Sequence, residues 1–143
     1  VLSTDYLNRY GEALMLIEMA AMDTSVIEDL RLWKPVSYRD HFTGSELRCA
    51  AGALHAYEQL SKTQGAAFDN LCAAMNRLVD TVIIVLTEIG TESDAMMVVE
   101  VAAAAFHNLL TRATAFINSG GETAKAHFDG DALQDAVDQL MAF

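Results

Sequence analysis

Apolar residues return at every third or fourth position along most of this chain, the spacing that lines one face of an α-helix. Leu7, Tyr10, Leu14, Ile17 and Ala21 form the first stripe and predict a helix from residue 3 or 4 to about 22. Asp23, Thr24 and Ser25 offer side-chain oxygens to open a short second helix from 26 to about 33. Lys34-Pro35 ends it, because the residue before a proline is pushed out of helical geometry. Residues 36–44 read as irregular chain or a single turn.

A third helix is predicted from Ser45 to about Lys62, with Leu47, Ala50, Leu54 and Tyr57 inward. Gln64-Gly65 breaks that pattern. The fourth stripe, Phe68, Leu71, Met75, Leu78, Val82, Val85 and Ile89, alternates threes and fours without interruption up to Gly90, a good C-terminal cap. Thr91 or Ser93 opens a fifth helix carrying Val99, Ala102, Phe106, Leu109, Ala113 and Phe116, which Ser119-Gly120-Gly121 stops. Residues 122–143 read as a short turn, a break at Asp129-Gly130, and a last helix from Asp131 with Leu133, Val137 and Leu140 inward.

Short connections between such helices make them antiparallel neighbours. The expected fold is therefore all-α, one domain over residues 1–143: an antiparallel helical bundle of four long helices plus one or two short ones. Folding back near Gln64 would set Tyr57 opposite Leu71, Leu54 near Met75, Ala50 near Leu78 and Leu47 near Val82. That register separates Cys49 from Cys72 by roughly 10 Å along the axis, too far for a disulfide. The fourth and fifth helices are longer than the others, so Ile83, Ile84, Leu86, Met96 and Met97 need a cover, either residues 26–42 or a second copy of the chain. An alternative fold is globin-like: the spacing of Pro35 and Phe42 resembles that of the globin C-helix proline and haem-packing phenylalanine. No histidine lies between Leu71 and Gly90, so that version would hold no haem.

Composition sharpens this picture. Twenty acidic against nine basic residues give a net charge of -11, which repels nucleic-acid backbones and anionic membranes. The longest uncharged run, 101–111, is too short and too polar to span a bilayer, and no basic leader opens the sequence. With two cysteines and no disulfide framework, a soluble protein of the reducing cytoplasm is expected.

Candidate chemistry is sparse. Di-iron bundles need Glu-x-x-His on two helices, and the chain holds only the reverse order, His55-Ala-Tyr-Glu58, once. Asp129-Gly-Asp131 has its glycine misplaced for a calcium loop and Leu140 where the twelfth-position glutamate belongs. No metal site and no cofactor is expected. His55 and His107 fall beside the packing seam at half-exposed positions that suit phosphotransfer, yet neither is followed by the lysine and glycine of such motifs. Both cysteines read as inert filling, and no glycine-rich phosphate loop or Gly-x-Ser-x-Gly turn occurs, so the chain reads as a non-enzyme.

The least generic stretch is residues 33–42, which gathers Trp33, Tyr38, Arg39, Asp40, His41 and Phe42 between two helices, with Arg48 nearby. Any binding surface is expected there. A structural role is the competing reading: Trp33, Tyr38 and Phe42 plug the open end while Arg39 and Asp40 face water. Met15, Met19 and Met22 add a methionine stripe on a second face of the first helix. The expected function is a non-enzymatic regulatory or adaptor bundle in signalling, acting through protein contacts as a homodimer. The alternatives are a small-molecule sensor or carrier with an apolar ligand between the long helices, and a histidine phosphotransfer-like signalling bundle.

Overall fold

The computed structural model describes residues 1–89 and 92–122, and every regular element among them is helical. A 3-10 turn (Thr4–Leu7) leads into α1 (Asn8–Ala20), followed by α2 (Val26–Leu32), α3 (Tyr38–Thr43), α4 (Ala50–Glu58), α5 (Lys62–Glu88) and α6 (Glu92–Asn118). The predicted last helix, with Leu133, Val137 and Leu140, lies outside the described residues.

Only α5 and α6 are long, at 27 residues each; α1 has 13 and α4 has 9. A bundle of four long helices is therefore replaced by one long antiparallel pair with shorter helices laid against it. Phe68 stacks on Phe116 at 5.1 Å between ring centroids, which fixes the register of α5 against α6. The stripes read from the sequence face each other here: Met75, Leu78, Val82, Ala102 and Phe106 are completely buried. α1 lies along α6 and, through Tyr10 beside Asn76, runs parallel to α5. Tyr10, Ala13, Ile17 and Ala20 face inward from it.

The third predicted helix departs most from expectation. Helix begins only at Ala50: the Ser45 hydroxyl accepts the Leu47 N–H in a local turn, and Cys49 at the N-cap supplies no side-chain bond. With Gly52 in its first turn and only Ala50 and Ala53 fully buried, α4 has too thin an apolar stripe to run along α5. It packs chiefly on α3. The expected pairing of Leu54 with Met75, Ala50 with Leu78 and Leu47 with Val82 is thereby overturned, and Leu47 is 46% exposed. Cys49 is exposed and Cys72 buried, and both are free thiols.

Gln64, taken as part of a break, instead starts α5. Ser61 Oγ accepts the Gln64 N–H at 3.1 Å and Gln64 Oε1 accepts the Ser61 N–H at 3.0 Å, a reciprocal capping box. The Gln64 amide also donates to the Gly121 carbonyl at 3.2 Å, tying the start of α5 to the end of α6. Gly121 has φ +91, which residues with a side chain rarely adopt, so glycine is favoured there; an added Cβ would also meet Leu60 Cδ2 at 2.9 Å, the end of a side chain that would have to move aside.

Residues 36–44, expected as irregular chain or one turn, carry α3, which Ser37 caps through the Asp40 N–H at 3.0 Å. α2 packs on α1 and on the end of α5, where Arg31 donates to Thr87 Oγ1 at 2.6 Å. That covers Leu86, whereas Ile84, Met96 and Met97 each stay 51% exposed. By length and composition α5 is apolar enough to cross a bilayer, yet 56% of its apolar window is buried inside the fold.

Candidate functional site: an aromatic cleft

A cleft of about 520 Å³ opens between the 3-10 turn, the start of α1, residues 35–39, the end of α4 and the first half of α5. Its walls are Tyr6, Tyr10, Tyr38, Tyr57 and Phe68, with Asp69, Cys72, Ala73 and Asn76 along α5 and Pro35, Val36, Ser37 and Arg39 opposite. The volume lies in the range of small-molecule sites.

The position of each wall follows from local structure. Tyr6 and Tyr10 stand four residues apart at the start of the first helical run and therefore on one face, in edge contact at 5.7 Å. Asp69, Cys72 and Asn76 are spaced three and four apart and form a single stripe of α5 beside its apolar seam. The connector is held to the 3-10 turn and α1 by three hydrogen bonds. Trp33 Nε1 donates to the Arg9 carbonyl at 3.0 Å, Arg9 Nη2 to the Lys34 carbonyl at 2.9 Å, and Tyr6 Oη to the Val36 carbonyl at 2.6 Å.

Each remaining phenol also has a partner. Tyr10 donates to Asn76 Oδ1 at 3.0 Å, Tyr57 to Asp69 Oδ1 at 3.0 Å, and Tyr38 to the Ala53 carbonyl at 3.1 Å while accepting the Ser3 N–H at 3.2 Å. Tyr38 and Tyr57 stack at 4.9 Å. Burial raises every one of these phenols above its ordinary range, Tyr57 to about 12 with the Asp69 carboxylate adding to the effect. Burial likewise pushes the Cys72 thiol up to about 12, although Tyr10 and Tyr6 hydrogen bonds act in the other direction. All these groups are neutral at pH 7.

Residues singled out from the sequence divide between three environments. Tyr38 and Arg39 line the cleft. Trp33 is half-buried against Tyr10, and Phe42 is buried against Tyr38 at 4.6 Å. His41 Nε2 contacts Asp5 Oδ2 at 2.8 Å, which pins α3 to the 3-10 turn. Asp40 is exposed and Arg39 pairs loosely with Glu58 at 3.7 Å. Arg48 lies apart, in a second groove of about 330 Å³ with Val1, Cys49 and Asn118. His55 on α4 and His107 on α6 are exposed. Tyr6, Asp69, Cys72 and Asn76 escaped the sequence reading, though the polar stripe beside the fourth apolar seam was visible there. Among the described residues, no three His, Cys, Asp or Glu side chains gather where a metal ion could be held.

Comparison with protein-family models, with curated proteins and with solved structures gives no match to this chain.

Proposed function

We propose that this chain is a small-molecule-binding helical domain, a sensor or carrier whose ligand occupies the aromatic cleft. The observation that carries the reading is the cleft itself: about 520 Å³ with five aromatic walls and a few fixed polar groups, the composition typical of ligand pockets. Binding is favoured over catalysis because the thiol on its wall is held protonated by burial. The two free thiols fit a reducing compartment such as the cytoplasm. Native mass spectrometry of the purified protein, followed by a fragment screen on the tyrosine ring signals, tests this. A retained small molecule, or fragments that shift Tyr6 and Tyr57, is the expected result; the absence of both overturns the proposal.

A second reading, the homodimeric adaptor, is favoured by one specific observation. Met15, Met19 and Met22, with Ile84, Met96 and Met97, leave about half or more of their surfaces in water, and the directions of α1, α5 and α6 bring them towards one end. Adaptable methionine surfaces suit protein contacts. The net charge of -11 opposes self-association, so pairing should tighten as salt is added. A strict monomer in sedimentation at tens of micromolar, in low and high salt alike, removes this reading.

A further inference from the structure

Resting on the reading of the cleft as a binding site, we infer that it selects organic cations: an ammonium group carried on an aromatic ring or short hydrocarbon. A phenol owns one proton. Those of Tyr6, Tyr10, Tyr38 and Tyr57 are all given to protein acceptors, namely the Val36 carbonyl, Asn76, the Ala53 carbonyl and Asp69. What the phenols can still offer a ligand is oxygen lone pairs and ring surfaces, which receive donors and cations and give nothing to an anion.

Formal charge points the same way. Among the described residues, Arg39 is the one cation on the wall, and it pairs with Glu58 at 3.7 Å. Among the same residues Asp69 has no ion-pair partner; it accepts from the neutral Tyr57 hydroxyl and is exposed at the mouth. An ammonium placed there meets a carboxylate and the quadrupole of the half-buried Tyr57 ring. Its hydrocarbon part then lies inward against Phe68 and Ala73. The remaining donors, the Asn76 amide and the Ser37 hydroxyl, are neutral and too few to hold a carboxylate or phosphate. The net charge of -11 also raises the local concentration of cations around the chain.

Three soluble probes of similar size decide the matter: 2-phenylethylamine, 2-phenylethanol and phenylacetate, titrated at pH 7 while the ring signals of Tyr6 and Tyr57 are followed by NMR. The amine should bind about 10-fold more tightly than the alcohol, as expected for a partly desolvated cation–aromatic and carboxylate contact, and phenylacetate should bind weakest. In Asp69→Asn, whose amide oxygen can still accept from Tyr57, the amine should fall to the level of the alcohol while the alcohol is unchanged. Equal binding of amine and alcohol in the cleft, or an amine preference that survives Asp69→Asn, overturns the cation selectivity and leaves the binding-site reading standing. Silence of both tyrosines towards all three probes at millimolar concentration overturns the two together.

Discussion

The two ends of the long α5–α6 pair are finished in opposite ways. Around Phe68 and Phe116 the chain gathers Tyr6, Tyr38, Tyr57 and Phe42, and every phenol there is tied by a directed hydrogen bond. Around Ile84, Met96 and Met97 the side chains are flexible, apolar and half in water. One end is specified by directed bonds between rigid rings, the other merely by the composition of adaptable side chains.

Substitutions should expose that contrast in a graded order. Phe106→Ala, in the shared interior between the two ends, should cost about 3–5 kcal/mol in urea unfolding, because Phe106 is completely buried. Alkali should act next, on the aromatic end alone. The phenols and Cys72 have pKa values raised on folding, so the stability they contribute is complete below their unfolded values, about 9 for the thiol and 10 for the phenols, and is lost as pH climbs towards the folded ones. The urea midpoint should accordingly fall above pH 9, with Cys72→Ala delaying the onset; a flat profile to pH 11 would contradict the burial. Tyr6→Phe strands the Val36 carbonyl and should cost about 1–2 kcal/mol, and Ser61→Ala removes the capping box for about 1 kcal/mol. Met97→Lys, at the other end, should change monomer stability by no more than about 0.5 kcal/mol; under the adaptor reading it should abolish the dimer seen by sedimentation.

The long helices were legible because their stripes of Phe68 to Val85 and Val99 to Phe116 need burial in any arrangement. Where an element stops was less legible. Ser61-Lys-Thr-Gln64 carries a capping-box signature, but Gly65, the fourth residue of the helix, reads equally well as a breaker, and only the reciprocal bonds decide between them. α4 failed as a bundle helix because its inward positions are alanines, so aromatic residues from the 3-10 turn and α3 took the space that Leu47 and Leu54 had been expected to fill. Half of the cleft lay within reach of the sequence: Tyr38 and Arg39 belong to the stretch singled out there. The other half depends on the path of the connector, since the partner of Tyr6 is a backbone carbonyl thirty residues away, and no side-chain pattern announces such a pairing.

Holding residues 33–36 by three bonds to the 3-10 turn and α1 makes one side of the cleft part of the rigid scaffold. Pro35 stiffens it further by locking its own φ. α5 faces it across the cleft, and the short α4, anchored mainly to α3, closes the remaining side with Tyr57. Under the proposed binding reading an arriving guest would press on Tyr57 and Asp69 together, so α4 and the first half of α5, not the held connector, are the elements it would displace.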